Sequence, residues 1–162
     1  MTLRPATPAD IPFLLATEHL PGYEDRIGQW SEAEHRVALA SADHAYFIGL
    51  DAAGAPIGFA MLQQLDDPHG NLLFRRIAIS QPGQGHGGRL FRGVTGWVFR
   101  ETAAHRLYLH VYPHNLVASR LYRSCGFVEE GAEREARLLP DGRRVDVITM
   151  SLLRREWEAG EA

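Results

Sequence analysis

Apolar positions change spacing several times along the chain, and each change predicts an element boundary. Leu90, Val94, Trp97 and Val98 fall at i, i+4, i+7 and i+8, which is the spacing of one helix face. Ala118, Leu121, Tyr122 and Cys125 recur at i, i+3, i+4 and i+7 and predict another helix, capped by Asn115 and closed by Gly126 and Phe127 as a Schellman-type stop. Nearer the N-terminus, "ADIPFLLATEH" predicts a helix with Asp10 as its N-cap. "SEAEHRVALA" predicts another, with Ser31 and Glu34 at capping-box spacing. The intervening "LPGYEDRIGQW" reads as a loop.

Strand patterns fill the remaining intervals. "TLRPA" is a short first strand, and "AYFIGLD" and "IGFAMLQQL" form a hairpin about "AAGAP". "NLLFRRIAI" is apolar on both faces except at Arg75 and Arg76, as expected of a buried strand. "RLYLHVY" is the next strand, and the last two are joined through Asp141 and Gly142. Strands interleaved with helices predict an α/β fold with a mixed sheet.

Composition narrows the classes. A chain of 162 residues, 45 % hydrophobic and 23 % charged, is of one-domain size and buries roughly 70 % of its unfolded surface. We find no repeat or linker that divides residues 1–162. The net charge of −3 provides no basic field for nucleic acid. Cys125 is the single cysteine, which excludes an intramolecular disulfide and fits a reducing compartment. With no signal-peptide pattern and no apolar run of about 18 residues, the expectation is a cytoplasmic protein without a membrane partner.

The stretch "SQPGQGHGGRLF" departs from every periodic pattern. Four glycines fall within residues 83–88, between a predicted strand and a predicted helix. Glycines there let a ligand touch the backbone, and the free N–H groups of the helix suit a phosphate. A phosphate loop of the form G-x-x-x-x-G-K-[ST] fails because Arg89 and Leu90 stand in the Lys and Ser/Thr positions. Gly83, Gly85 and Gly88 satisfy G-x-G-x-x-G, so a dinucleotide-binding oxidoreductase is an alternative, although no acidic residue ends the next strand. A simple tight turn is the plainest alternative.

"RRIAISQPGQGHGGRLF", "LYLHVYPHN" and "NLVASRLYRSCGF" together resemble the GNAT superfamily of acyl-CoA-dependent N-acyltransferases. The closing segment is similar to the branch with ribosomal-protein N-terminal acetyltransferases and spermidine acetyltransferases. The resemblance implies one GNAT-like domain, with a mostly antiparallel sheet of about six to seven strands and about four flanking helices. It also implies acetyl-CoA as co-substrate, with the backbone of Gln84, Gly85, His86, Gly87, Gly88 and Arg89 around the pyrophosphate. Pro82 occupies the position where the family's loop commonly has Gln or Arg, and Gln84 is the substitute. A splay near Ile77, Ala78 and Ile79 and a contact from Asn115 are implied for the pantetheine arm.

Acyl transfer to an amine needs a neutral amine, a stabilised oxyanion and a proton for the leaving thiolate. The resemblance places a tyrosine acid at Tyr122, which also sits on the apolar face of its helix. His110 lies where the ribosomal-protein enzymes carry a catalytic Glu. Its ordinary pKa of about 6.5 suits a base, with a packed interior histidine or an ordered-water relay as the alternatives. Glu24 and Asp25 are candidates to hold a cationic acceptor, or else solvated loop charge. His105, His110 and His114 do not make a helical ligand pair, because Pro113 interrupts them, and no metal is expected. The expected activity is acetyl transfer from acetyl-CoA to a primary amine, either a protein N-terminus or a small molecule such as a polyamine. A non-catalytic acyl-CoA sensor is the alternative from another class, and exposed strand edges permit a homodimer.

Overall fold

Antiparallel pairing organises the chain. In the computed structural model, which describes residues 1–161, the strands are β1 (Thr2–Pro5), β2 (His44–Leu50), β3 (Pro56–Gln63), β4 (Asn71–Ile79), β5 (Arg106–Val111), β6 (Val128–Leu138) and β7 (Arg144–Leu153). They form one sheet in the order β1-β2-β3-β4-β5-β7-β6. β4 and β5 are its one parallel pair. A dinucleotide-binding fold requires a doubly wound parallel sheet, so that alternative falls with the topology.

Helices cover both faces. α1 (Ile11–Glu18) and α2 (Glu32–Leu39) lie over Tyr46, Ile48, Phe59 and Met61. α3 (His86–Glu101) and α4 (Leu116–Ser124) cover Phe47, Leu62, Phe74, Leu107 and Leu109 on the other. The helical face anticipated in α3 is the buried one, since Leu90, Val94 and Val98 are fully enclosed and Trp97 packs on Phe47 with ring centroids 4.7 Å apart. No helix among the described residues is long and apolar enough to cross a membrane.

The ends of α4 follow the residues that predicted them. The Asn115 carboxamide oxygen accepts from the Ala118 N–H at 3.3 Å. At the other end Gly126 adopts φ +87°, and the Phe127 and Gly126 N–H groups donate to the Tyr122 and Arg123 carbonyls at 3.1 and 3.0 Å. This is the Schellman pattern, in which the left-handed residue is glycine because it has no Cβ to clash. At α2, Ser31 and Glu34 cap each other reciprocally.

Two sequence expectations are corrected. Asp10 does not cap α1 with its side chain. A 3-10 turn over Pro8–Asp10 precedes that helix, so the carboxylate reaches back to the Thr7 N–H at 2.8 Å and to Arg4 at 2.6 and 2.9 Å. A fifth helix, α5 (Arg154–Glu161), follows β7. The Arg154 guanidinium donates to the Phe99, Thr102 and Ala104 carbonyls at the end of α3, where backbone acceptors lack helical partners. Trp157 stacks on Phe99.

The pair at Arg4 and Asp10 gives a stability test. Arg4 and the Thr7 N–H hold the Asp10 carboxyl down at about 2, against a smaller opposing effect of burial. Its contribution is therefore complete above the unfolded pKa of about 3.9 and is lost as pH falls towards 2. Asp10→Asn should cost about 1 kcal/mol at pH 7, a fall of about 2–4 °C in the unfolding midpoint. The difference from wild type should shrink below pH ~4 in thermal unfolding followed by circular dichroism.

Candidate active site

The parallel ladder between β4 and β5 stops early. It runs from Asn71 opposite Arg106 to Phe74 opposite Leu109, after which β5 continues against β7 alone. At the same point the β3 register jumps from Leu62 opposite Phe74 to Met61 opposite Arg76. Arg75 is thus the extra residue of a bulge, which bends its strand and breaks the local pairing. The two strands part from Arg75 onward, two residues before the expected splay.

This parting leaves main-chain groups facing a gap. Ser80 donates to the Ile57 carbonyl of β3, so residues of even number bond to β3 and Ile77 and Ile79 point the other way. The Ile79 N–H and C=O are both taken by the Tyr23 hydroxyl, each at 3.0 Å. The Ile77 N–H and C=O face the same opening. Ala78 is a different case, because its backbone pairs with β3 and its side chain is buried under α1 and α2.

A cavity of 1020 Å³ fills the parting. Ile77, Ile79, Gly85, His86, Gly87, Gly88, His110, Asn115 and Tyr122 line it, whereas Ala78, Gln84, Arg89, Glu24 and Asp25 do not. The glycine loop stands at one end. Gly83 and Gly85 take φ of +91° and +72°, which only glycine adopts without strain, and α3 starts at the next residue. The Arg89 N–H returns to the Gly85 carbonyl, so the three N–H groups before it in the helix lack helical acceptors. Gln84 is exposed, donates to Gln81 at 3.1 Å and lies 3.2 Å from His86 Nε2.

Tyr122 and His110 approach from opposite faces of the sheet. The Tyr122 ring packs on Phe91 at 4.8 Å, and burial raises its phenol well above the ordinary value. The group stays protonated and able to donate. His110 is on the α1/α2 side, with 31 % of its side chain exposed. Burial lowers its pKa below 6.5, opposed by Glu133, 3.8 Å away, and reinforced by the nearby Arg137 and Arg75. It is neutral at pH 7 and free to take a proton.

The loop between α1 and α2 bridges the opening. Besides Tyr23 on Ile79, His114 Nε2 donates to the Asp25 carbonyl at 2.7 Å. The Glu24 carboxylate accepts from the Gly22 N–H at 2.7 Å. Glu24 and Asp25 thus shape the loop rather than face the cavity.

Behind the loop lies a buried charged cluster that sequence reading missed. Glu18, His35 and Arg76 are enclosed. Glu18 accepts from Arg76 at 2.5 Å and from the Trp30 N–H at 2.8 Å, and it lies 3.2 Å from His35 Nε2. Burial opposes ionisation of Glu18, but His35, Arg76 and the Trp30 N–H together hold its pKa below the usual carboxylate range. The Arg76 guanidinium stacks over Trp30 at 5.0 Å, and Trp30 lines the cavity. Two adjacent arginines in an apolar strand were the one sequence signal for this cluster. Arg92, which also lines the cavity, falls one helical turn beyond Gly88 and was missed as well.

An α/β sheet opened between its two parallel strands, with a glycine loop and helix N-terminus at the mouth, is the architecture expected of an acyl-CoA-dependent transferase. Residues 14–127 match the model of the acetyltransferase (GNAT) family, and the chain belongs to that family, whose members use acetyl-CoA as co-substrate. It is 33 % identical over 112 residues to spermidine N(1)-acetyltransferase of Vibrio cholerae, over 68 % of this chain; the match spans 64 % of that protein's length. Among solved structures, a mutant of spermidine N-acetyltransferase SpeG from Vibrio cholerae superposes with a TM-score of 0.85 at 26 % identity, covering 100 % of both chains. SpeG in complex with manganese ions gives 0.83 at 26 % identity, over 99 % of this chain and 96 % of that one. Among the described residues of this chain no three His, Cys, Asp or Glu side chains converge as a metal site.

Removing the Glu18 carboxylate leaves the Arg76 charge buried and unpaired. Glu18→Ala should cost about 3–5 kcal/mol, measured by urea denaturation at pH 7. The Glu18 contribution is complete above the ordinary Glu pKa of about 4.3 and is lost as pH falls below it.

Proposed function

We propose that the cavity binds acetyl-CoA along the parted strands and transfers its acetyl group to the primary amine of a small molecule. The observation that carries this reading is the gap itself. Unpaired Ile77 backbone faces a cavity that has phosphate-suited N–H groups at one end and a phenol and an imidazole on its walls. The N–H groups of Gly85 to Gly88 are suited to the pyrophosphate, with Arg92 adding positive charge. The Ile77 main chain and Asn115 are suited to the amides of the pantetheine arm.

The chemistry balances with two side chains. His110 takes a proton from the attacking amine, whose nitrogen forms a bond to the thioester carbonyl carbon as the carbon–sulfur bond breaks. The Tyr122 phenol gives a proton to the departing sulfur and recovers one from solvent. An amine that arrives as an ammonium first loses one further proton to water. The products are an N-acetyl amine and the free thiol. A pure acyl-CoA sensor would need neither proton carrier, and both line the cavity. The similarity to spermidine acetyltransferases supports a small amine over a protein N-terminus.

Acetyl-CoA at about 100 times its dissociation constant should stabilise the protein by about 2.7 kcal/mol, and NADH should leave the unfolding midpoint unchanged. Tyr122→Phe should lower kcat about 100-fold while the acetyl-CoA Kd, from calorimetric titration, stays within about twofold; an unchanged kcat would remove Tyr122 as the acid. Since a base must be deprotonated to act, wild-type kcat/KM should fall as pH drops through a pKa below 6.5. That inflection should be absent from the profile of His110→Ala.

A further inference from the structure

The acceptor side of the gap carries positive charge without compensation. Arg26, Arg75, Arg76 and Arg137 line it, Arg92 lying apart at the glycine-loop end, and Glu34 is the one carboxylate lining the cavity. Glu34 is already engaged, accepting from the Ser31 N–H at 2.7 Å and the Ser31 hydroxyl at 2.8 Å. Arg76 is neutralised by Glu18, and Arg26 lies 4.0 Å from Asp25. Arg75 and Arg137 have no carboxylate partner among the described residues.

These two arginines share one neighbourhood. Burial weakens the Arg75 cation, and Arg137 and then Arg76 repel it further, while both Arg75 and Arg137 also act on His110. The Arg75 guanidinium lies 5.9 Å from the centroid of Trp30. A half-buried cation without a counter-ion is unfavourable, and a forked donor matches a carboxylate. The pyrophosphate of coenzyme A is not the missing anion, because Arg75 precedes Ile79 by four residues, about 13 Å of strand, and the glycine loop lies beyond. A polyamine, with several positive charges and no negative one, meets repulsion here.

We propose that the acceptor is a small primary amine that also carries a carboxylate, bound as an ion pair by Arg75 and Arg137 with its amine towards His110. This rests on the acetyltransferase reading above. The test is release of free thiol from acetyl-CoA with a panel of α-amino acids, the alkylamines that lack their carboxylates, and spermidine, after calorimetry has established acetyl-CoA binding. At least one amino acid should exceed its alkylamine and spermidine in kcat/KM by about tenfold or more.

Arg137→Gln should raise KM for the amino acid about tenfold or more, leaving KM for the alkylamine and the Kd of acetyl-CoA unchanged. Arg137→Lys should recover part of the loss. Arg137 is exposed on β6, so these variants keep the fold. Preference for spermidine, equal effects of Arg137→Gln on amino acid and alkylamine, or neither turnover nor calorimetric binding of any amino acid by the acetyl-CoA-loaded protein would overturn the proposal. Failure to bind acetyl-CoA would instead overturn the transferase reading beneath it.

Discussion

The site depends on a single extra residue in β4. With Arg75 bulged out of register against β3, β4 turns away from β5 after Phe74, and the backbone beyond it loses its ladder. Unpaired main-chain groups in a half-buried strand are costly. The fold meets part of that cost from within, through the Tyr23 hydroxyl on both polar groups of Ile79. The groups of Ile77 are left to face the cavity. A defect in hydrogen bonding thereby becomes a wall of the cavity, while the ladders on either side remain paired.

The same bulge separates two adjacent arginines into different roles. Arg76 points under α1 and α2 and is tied to Glu18, where its charge fixes the helix and loop that overhang the gap. Arg75 is turned towards the cavity. Regular strand alternation would place the two on opposite faces, whereas with the inserted residue both guanidinium groups reach the Trp30 ring, at 5.9 and 5.0 Å. The positive charge beside Trp30 and the opening between β4 and β5 therefore have one structural origin.

Much of this was legible in order along the chain. Asn115 and the Gly126–Phe127 pair define α4 because caps are local chemistry, and Ser31 with Glu34 does the same for α2. The glycine run marked the mouth of the cavity, since Gly83 and Gly85 are needed for their left-handed φ. What escaped detection depends on distant contacts. Asp10 was read as a cap but is captured by Arg4, and α5 is held by Arg154 on carbonyls about 50 residues away. The bulge carries no composition signal beyond two arginines where an apolar strand has no place for them.

This difference explains why the donor half of the site is easier to read than the acceptor half. The groups suited to coenzyme A come mostly from one continuous stretch, from Ile77 through the glycine loop to Arg92, and their geometry is fixed by a strand, a turn and a helix start. The acceptor half is assembled from the α1–α2 loop, the bulge, the end of β5 and the β6–β7 hairpin. No short pattern joins Trp30, Arg75, His110 and Arg137. Replacing Arg137, on an exposed edge strand, alters the charge of that half without disturbing the sheet or the glycine loop. Proteins with this fold can therefore share a donor and an architecture while differing in acceptor.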